Sequence, residues 1–383
     1  MARSYSGKII RRFFKKALRK NVGAMWALFI ICAAVFFGST FISDIAHKIN
    51  IFENNKTEEN IAFSDDSDFK IYFLDVGQGD STLVMCDGKS MLIDAGEISE
   101  GEKVVKTLKN LGIKKIDIII GTHPDSDHIG GLEQVIKTFD HELLLLSYLK
   151  SENVVAKNLK QYINANNIEV TGPNVGTVYT LGSASVKVVG PVDIYDDNNN
   201  NSISVLVSYG GKKFLFMGDT ERQAEEDIVE KGMDLKCDVL KLSHHGSSTS
   251  STDILLDRAG PEAAVISCGK NNKYGHPHIE TLEKLLKRNI KMYRTDKQGT
   301  IMLSVKEGKI VFDKEESMDF TSGNGKKATI YTGNYILNTK SKKMHIPTCK
   351  NVSDIKEENK QESNLDRQTL INKGYTPCGY CKP

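Results

Sequence analysis

The side chains most able to do chemistry lie in one short segment, His123-Pro124-Asp125-Ser126-Asp127-His128. Imidazoles and carboxylates are the groups that bind divalent ions such as Zn²⁺ or Mn²⁺. Alternate positions 123, 125 and 127 can converge on one centre, while position 128 faces a neighbouring one. The segment follows the apolar run Ile116–Ile120, so we expect it to lie where a buried strand ends, which is where sites form in layered α/β folds.

Two later segments repeat this arrangement of an apolar run that ends in a metal-binding side chain. One is Phe214-Leu-Phe-Met-Gly-Asp219, and the other is Val239-Leu-Lys-Leu-Ser-His244-His245-Gly246. Any one of the three segments alone would equally fit a solvated turn or a helix cap. Their occurrence together favours a metal centre built from three loops.

The elements that must position these loops follow from the hydrophobic pattern. Short apolar runs come in clusters between amphipathic segments, which predicts two packed sheets with helices outside. The predicted strands are Ile71–Val76, Thr82–Cys86, Met91–Ile93, Ile116–Ile120, Val186–Val189, Ile203–Val207, Phe214–Met217, Val239–Leu242 and Ala263–Ser267. The predicted helices are Gly101–Leu111, Leu132–Phe139, Glu221–Lys231 and Ile279–Arg288.

The motif series, preceded by Leu92-Ile-Asp94-Ala-Gly, resembles that of the metallo-β-lactamase fold superfamily. In detail, the sequences of these motifs are similar to those in the soluble domain of the ComEC family of competence DNA-uptake proteins. The segments that carry this similarity are Phe73-Leu-Asp-Val-Gly-Gln-Gly-Asp80, Asp125-Ser-Asp-His-Ile-Gly-Gly-Leu132, His244-His-Gly-Ser247, Tyr274-Gly-His-Pro-His278 and Arg294-Thr-Asp296 with Gly299. The similarity covers about residues 69 to 312 and does not extend to that family's multi-pass channel, so it does not imply DNA transport.

The resemblance implies an α/β sandwich (αββα) of two mixed β-sheets flanked by helices, with a dinuclear metal site at one edge. It implies that His123 and Asp125 bind one ion and that Asp127 and His128 bind the other. Asp219 would bridge the two ions, and His245, which precedes a glycine, would complete the second site. The residues expected to surround and orient these ligands are Asp94, His244, Asn201 and Ser202.

Two departures from the superfamily pattern change the expected chemistry. Asp125 stands where the second His of His-x-His-x-Asp-His is usual, and Asn201-Ser202 stands where a further His is usual. More carboxylates and fewer imidazoles favour Mn²⁺ or Mg²⁺ relative to Zn²⁺. The same change weakens the first site, so occupancy by one ion or by two stays open.

Such a centre activates water for phosphodiesters and carbonyl compounds alike. We expect a phosphodiesterase or nuclease acting on DNA, with Asp127, His276 and His278 as catalytic groups and with no organic cofactor. Ser247-Ser248-Thr249, expected at a helix N-terminus, would suit an anion. The alternatives are hydrolysis of a lactam, lactone or thioester, and a DNA-binding relative without turnover. If they have no catalytic role, His276 and His278 would simply form a structured turn. If they bind no anion, the hydroxyls of Ser247, Ser248 and Thr249 would simply cap a helix.

The 383-residue chain has a net charge of only +2, so no global basic field indicates nucleic acid. Residues 1–22 carry eight basic and no acidic side chains, and residues 23–43 are uncharged and apolar. This pattern predicts a cytoplasmic tail and a single transmembrane helix or signal anchor, with the rest outside the membrane. The alternative is a cleaved signal peptide and a secreted protein. A linker (44–68), the hydrolase domain (69–314), a second linker (315–330) and a module (331–383) are expected to follow.

The C-terminal module has its own metal-binding pattern. His345, Cys349, Cys378 and Cys381 give one imidazole and three thiolates, the set typical of structural Zn²⁺. A disulfide between two of these cysteines is the alternative outside the cell. The segment is similar to the small zinc module of Ada-type DNA-repair proteins. Its lysines would either contact phosphate or simply be solvated.

Overall fold

The computed structural model describes residues 67–147, 153–328, 334–365, 367–381 and 383. The predicted cytoplasmic tail and apolar segment 23–43 lie outside the described residues, as does most of the first linker. Among the described residues, no helix is long and apolar enough to cross a membrane.

Within the described residues, fourteen strands build the frame of the hydrolase domain. They are β1 (Phe69–Phe73), β2 (Thr82–Cys86), β3 (Lys89–Ile93), β4 (Lys115–Gly121), β5 (Asp140–Leu146), β6 (Val178–Leu181), β7 (Ala184–Gly190), β8 (Ser204–Tyr209), β9 (Lys212–Phe216), β10 (Val239–Lys241), β11 (Ala263–Ile266), β12 (Lys291–Arg294), β13 (Ile301–Lys306) and β14 (Lys309–Phe312). One sheet has the order β14-β13-β1-β2-β3-β4-β5, and the other has the order β12-β11-β10-β9-β8-β7-β6. Each sheet mixes parallel and antiparallel pairs.

The helices of this domain are mostly short and amphipathic. They are α1 (Gly101–Asn110), α2 (Ser126–Ile129), α3 (Leu132–Thr138), α4 (Val154–Ala165), α5 (Arg222–Glu230), α6 (Asp253–Ala259), α7 (Ile279–Lys287) and α8 (Thr295–Gln298). In α1 the buried Val104 and Leu108 are four residues apart, so they lie on one face of the helix. The exposed residues of this helix include Lys103, Lys106 and Lys109.

The main core lies between the two sheets. Apolar side chains of both sheets form one buried cluster, and the rings of Phe69 and Phe214, from opposite sheets, stack with centroids 5.2 Å apart. A second cluster joins the other face of the β6–β12 sheet to α5, α6 and α7 through residues such as Ile228, Leu255 and Leu282. The expected sandwich of two mixed sheets flanked by helices is confirmed.

The strand directions bring the loops that carry the candidate metal ligands to one edge of each sheet. β3 runs parallel to β4, and β9 runs parallel to β10. The carboxyl ends of these strands therefore point the same way within each sheet, and the loops after them carry Asp94, His123, Asp219 and His245.

One expectation about the loop after β10 was wrong. The helix after His245 begins only at Asp253, with Thr252 as its N-cap, so Ser247-Ser248-Thr249 lie in a loop and not at a helix N-terminus.

The segment predicted as the second linker lies against the domain over its described residues, 315–328. The fully buried Arg294 donates from Nη1 to the carbonyls of Asp319 and Thr321. Ala328 is buried in the cluster that covers the β6–β12 sheet, and Phe320 packs against that cluster. The packed unit therefore continues past Lys314.

The C-terminal module is built on a small sheet. Its elements are β15 (Tyr335–Asn338), β16 (Lys343–His345), β17 (Lys360–Ser363), α9 (Arg367–Asn372) and β18 (Thr376–Pro377), and the strand order is β17-β15-β16-β18. Its buried apolar core consists of Tyr335, Leu337, Met344, Leu370 and Tyr375. A core of this size contributes little stability by itself.

Candidate metal centre

Four imidazoles converge on the carboxylate of Asp219. The Nε2 atom of His128 is 3.2 Å from Oδ1 of Asp219. The Nε2 atoms of the other three lie near Oδ2, at 3.4 Å for His245, 3.8 Å for His244 and 4.0 Å for His123. Asp219 is therefore at the position from which one carboxylate can bridge two ions.

Two further carboxylates lie on either side of this centre. Asp127 Oδ2 is 3.2 Å from His245 Nε2, and Asp125 Oδ2 is 3.8 Å from His123 Nε2. The side chain of Asp125 is 39% exposed, whereas that of Asp219 is 4% exposed. The side of the centre that contains Asp125 is thus the more open one.

Each of the four imidazoles is fixed from behind, because its Nδ1 atom has a partner on the outside of the cluster. These partners are Asp94 for His128 (2.8 Å), the Ser267 carbonyl for His245 (3.0 Å), Glu221 for His244 (3.1 Å) and the Thr122 hydroxyl for His123 (3.1 Å). Such outer partners fix the ring and leave Nε2 free for a metal ion.

Asp94 lies where the sequence pattern placed it, behind the cluster. Its Oδ1 accepts from the Thr122 N–H at 2.8 Å, and its Oδ2 accepts from the Thr122 hydroxyl at 2.7 Å. The same Oδ2 is the partner of His128. This buried carboxylate therefore ties the end of β4 to the ligand loop.

The electrostatics of the cluster favour cation binding. Burial alone would raise the pKa of Asp219, but His128 and His245 hold it well below its usual range, and they lower the pKa of Asp127 as well. Burial, assisted by His128, lowers the pKa of His123 to about 4. Burial opposes protonation of His128 and His245, yet the surrounding carboxylates raise the pKa of both. A metal ion that binds there would displace those protons.

The residues present fit one or two divalent ions. Among the described residues, His123 Nε2 and Asp219 Oδ1 are buried and have no hydrogen-bond partner. Buried polar atoms without partners are costly, and metal ions bound to these two atoms would remove that cost. The donor set consists of imidazoles and carboxylates without a thiolate, which suits Mn²⁺ or Zn²⁺.

Sequence reasoning gave no role to Asp80, although this residue ends the Gly77-Gln-Gly-Asp80 motif. Asp80, His128, Asp219 and His245 each offer a ligand atom within 4.8 Å of the others. However, Asp80 Oδ1 approaches His245 at Nδ1 (3.4 Å), whereas Asp127 approaches the same ring at Nε2. We therefore assign Asp127 to the metal side of His245 and Asp80 to its outer side.

A buried lysine fixes Asp80. Lys241 Nζ donates to Asp80 Oδ2, and both side chains are less than 8% exposed. Burial raises the pKa of Asp80, but Lys241 and His245 outweigh it and lower the pKa to about 2. The contact joins residues 161 positions apart in the chain, which is why periodicity and spacing could not reveal it.

Gly79 allows the first loop to lie directly on the metal loop. Its φ is +145°, and a Cβ atom there would be 2.4 Å from the carbonyl oxygen of Asp127. The next residue, Asp80, donates its N–H to that same carbonyl at 3.0 Å. Glycine is required because only it combines this backbone conformation with so close an approach.

The loop 198–202 supports the open side of the cluster. Asn198 Nδ2 donates to Asp125 Oδ1 at 2.7 Å, and the Ser202 hydroxyl accepts the N–H of Asp219 at 3.0 Å. Asn201 instead binds the carbonyls of Tyr195 and Asp197 through Nδ2, so it shapes the loop. Asn198 was missed by sequence reasoning because nothing in a run of four asparagines distinguishes one from another.

His276 lies beside the cluster, but its environment does not suit a proton donor. Its ring centroid is 5.4 Å from that of His244, and its buried Nδ1 has no partner among the described residues. Burial and the neighbouring imidazoles lower the pKa of His276 to about 3. The ring is therefore neutral near pH 7 and can bind a substrate oxygen as a neutral hydrogen-bonding group.

The structure does not support the catalytic role expected for His278. Its Nδ1 accepts the N–H of Ser248 at 3.0 Å, and its Nε2 lies 3.0 Å from the Tyr274 carbonyl, to which it donates. Both ring nitrogens are thus engaged in holding two loops together. The physical reason for the correction is that neither nitrogen is available to a substrate.

A second candidate metal site lies in the C-terminal module. His345, Cys349, Cys378 and Cys381 each offer a ligand atom within 4.8 Å of the others. The described cysteines are free thiols, and the buried Nδ1 of His345 has no partner among the described residues. Burial opposes ionisation of Cys378, but hydrogen bonds from the backbone of Cys381 and Tyr380 lower its pKa to about 7. The cluster suits a closed four-ligand zinc site.

Comparison with known proteins agrees with this geometry. The chain is 32% identical to "ComE operon protein 3" of Bacillus subtilis over 63% of its length, covering 33% of that protein. It is 30% identical to "Competence protein ComA" of Neisseria gonorrhoeae (61% of this chain, 32% of the relative). It is 28% identical to "Recombination protein 2" of Haemophilus influenzae (60% of this chain, 28% of the relative). The chain thus spans about a third of the length of these curated relatives.

A family profile covers the segment that holds the centre. The profile of the Metallo-beta-lactamase superfamily matches residues 74–270, which is about half of the chain and includes all three ligand loops. The match agrees with the observed αββα sandwich and with a metal-dependent hydrolase that has ComEC-like relatives. The chain belongs to the metallo-beta-lactamase superfamily.

Proposed function

We propose that this chain is a metal-dependent phosphodiesterase whose substrate is DNA. The observation that carries the proposal is the donor set around Asp219, in which Asp125 and Asp127 accompany the imidazoles. A site rich in carboxylates prefers a hard ion such as Mn²⁺. Hard divalent ions also bind phosphate oxygens well, so the centre suits a phosphodiester better than a lactam.

The residues of the chain have separate tasks in such a reaction. A pair of divalent ions, when bound, would lower the pKa of water to about 7 and neutralise the charge that develops on phosphate. Asp219 holds the two halves of the site together, and the outer partners fix each imidazole. His276, a neutral imidazole at the rim, is placed to contact a non-bridging or leaving oxygen of the substrate.

The rim next to His276 supports a nucleic-acid substrate. Lys270, Lys273 and Tyr274 are exposed on one loop, and the ring of Tyr274 stacks near that of His276 with centroids 5.6 Å apart. Lysines contact phosphates without regard to sequence, and aromatic rings stack on bases. The similarity to competence proteins agrees with DNA as the substrate class.

The test compares two substrates on one preparation. The purified full chain is stripped with a chelator, then supplied with Mn²⁺ or Zn²⁺ and given bis-p-nitrophenyl phosphate or nitrocefin. We expect cleavage of the phosphodiester and greater activity with Mn²⁺, followed by cleavage of single- or double-stranded DNA. Turnover of nitrocefin without cleavage of any phosphodiester would contradict the proposal and favour carbonyl chemistry. Tight DNA binding without turnover under either metal would identify a binding protein.

Two further proposals concern the rest of the chain. The C-terminal cluster of His345 and the three cysteines is proposed to hold one structural Zn²⁺.

The apolar segment 23–43 is proposed to anchor the hydrolase domain at the outer face of a membrane. Alkaline carbonate extraction of membranes, followed by protease treatment of intact cells, tests the anchor. Release into the soluble fraction, or a chain shortened at its N-terminus, would contradict it.

A further inference from the structure

We infer that His244, and not only His245, is a metal ligand, and that it takes the place of the imidazole missing from the first site. The sequence pattern leaves that site with His123, Asp125 and the shared Asp219. Adding His244 would give each ion two imidazoles, one carboxylate of its own and the bridging Asp219. This inference rests on the proposed metal centre and does not depend on which substrate it acts on.

The first observation is the direction of the His244 ring. Its Nε2 lies 3.8 Å from Asp219 Oδ2, and His123 Nε2 approaches the same oxygen at 4.0 Å. His128, in contrast, approaches Oδ1. His245 Nε2 also lies near Oδ2, at 3.4 Å, but it contacts Asp127 as well, at 3.2 Å. Since Asp127 and His128 already accompany His245, we place His244 with His123 and Asp125, the group in which the sequence pattern lacks an imidazole.

The second observation is the partner behind the ring. Glu221 Oε1 lies 3.1 Å from His244 Nδ1, and the same oxygen accepts from the Thr249 hydroxyl at 2.9 Å. Asn199 Nδ2 also approaches this oxygen, at 3.3 Å. A carboxylate that holds Nδ1 while Nε2 faces the cluster is the arrangement also formed by Asp94 and His128, and it is typical of metal-binding histidines.

The third observation is the backbone of the loop. His244 has φ +48° and His245 has φ +53°, a left-handed conformation that is unfavourable for residues other than glycine. The His244 N–H donates to the Gly218 carbonyl at 3.1 Å, and the Ser243 hydroxyl donates to the buried Glu225. The loop is thus held in a strained form in which consecutive residues, whose side chains would ordinarily diverge, both face Asp219.

The competing interpretation is that His244 and Glu221 form an ordinary ion pair at the rim. That interpretation explains the contact at Nδ1, but it explains neither the direction of Nε2 nor the strain at His244. In the first site the side chains of His244 and Asp125 are 22% and 39% exposed. In the second site Asp127 is 23% exposed, but His128 and His245 are both almost fully buried. We therefore expect the first site to bind its ion more weakly than the second.

The test measures metal content and not activity. The purified full chain is stripped and titrated with Mn²⁺, bound Mn²⁺ is counted by equilibrium dialysis and elemental analysis, and electron paramagnetic resonance reports coupling between two Mn²⁺ ions. The parent should bind two Mn²⁺ and show a coupled spectrum. His244→Asn should bind one and show a single-ion spectrum, whereas the control His278→Asn, on the neighbouring loop, should still bind two. Circular dichroism and thermal unfolding confirm that each variant is folded.

A second variant covers the case in which His244→Asn does not fold. Glu221→Ala leaves the ring in place but removes its outer partner, and loss of such a partner typically weakens metal affinity by roughly 10–100-fold. We expect that loss in the weaker of the two Mn²⁺ affinities alone. Two coupled Mn²⁺ ions in His244→Asn, unchanged affinities in Glu221→Ala, or only one Mn²⁺ in the parent would each overturn the inference. Failure of the phosphodiesterase proposal would leave the count of two ions intact, so the two failures are distinguishable.

Discussion

The two candidate metal sites of this molecule differ in both ligands and setting. The centre around Asp219 uses imidazoles and carboxylates, which are supplied by loops at the ends of strands in a large sandwich. The C-terminal cluster uses one imidazole and three thiols on a small sheet with few apolar side chains. The first is open to solvent on the side of Asp125, whose side chain is 39% exposed, whereas the second offers the four ligands of a closed site.

This difference indicates which site serves chemistry and which serves folding. In the sandwich, two hydrophobic clusters and buried contacts such as Asp94–Thr122 hold the ligands in place. A metal ion bound there would add reactivity to a frame that the protein already holds together. In the module, the proposed zinc ion would supply stability that the small core cannot, because small domains need such additional links. The experiments below can break or sharpen this distinction.

The largest effect on catalysis is expected from Asp219→Asn. The change removes the charge of the bridging carboxylate, and a loss of about 4 kcal/mol of transition-state stabilisation lowers kcat/KM by roughly a thousandfold. Zinc in the module should be unchanged, as measured by elemental analysis of the same sample. If Asp219→Asn retains more than about a tenth of the parent activity, the centre is not the site of hydrolysis.

The reciprocal change is Cys381→Ser. Zinc binding in small metal-dependent folds has an apparent free energy of roughly 10–16 kcal/mol, so loss of one ligand should release zinc and unfold the module. Limited proteolysis should then remove the tail, while cleavage of bis-p-nitrophenyl phosphate stays within about twofold of the parent. Unchanged zinc content in Cys381→Ser would refute the ligand assignment.

A smaller effect on catalysis, with a clear loss of stability, is expected where the frame holds the centre. Lys241→Met leaves the buried Asp80 without its partner, and breaking a buried ion pair in this way typically costs about 3–5 kcal/mol of stability. The midpoint of urea unfolding of the hydrolase domain should fall accordingly. The double variant Lys241→Met/Asp80→Leu, which removes both charges, should recover part of the loss. A single variant as stable as the parent would show that the pair does not support the domain.

The smallest effect is expected at the rim. The double variant Lys273→Ala/Tyr274→Ala should raise KM for DNA by roughly tenfold, since stacking on a base is worth about 1–3 kcal/mol. The loss of Lys273 should also lower the salt dependence of DNA binding by about one phosphate contact. Cleavage of bis-p-nitrophenyl phosphate should be unaffected. Lys109→Ala, on α1, is the matched control. Equal loss on both substrates would show that the rim supports the centre and not the DNA.

The sequence predicts best the features that depend on local pattern. The buried runs Thr82–Cys86 and Ile116–Ile120 both became strands, and the ligand positions follow directly from where such strands end. The half-exposed strand Val178–Leu181 and the helix Val154–Ala165 were missed, because neither has a continuous apolar run like those of the buried strands.

Contacts between distant positions could not be predicted in the same way. Asp80 and Lys241, or Asn198 and Asp125, meet only after the loops have converged. The choice between His244 and His245 also depended on an unusual backbone conformation that residue types do not reveal. His278 shows the opposite error, since a reactive side chain beside the centre is occupied by a loop contact.

The most direct test of the account is DNA cleavage by the full chain during a titration with Mn²⁺ after chelation. The carboxylate-rich centre predicts that cleavage is absent without metal, rises with Mn²⁺ to a plateau, and is lost in Asp219→Asn. The zinc content of this variant, measured before chelation, should equal that of the parent. DNA that remains intact at every concentration of Mn²⁺ and Zn²⁺, in a chain that still binds these ions at the centre, would contradict it.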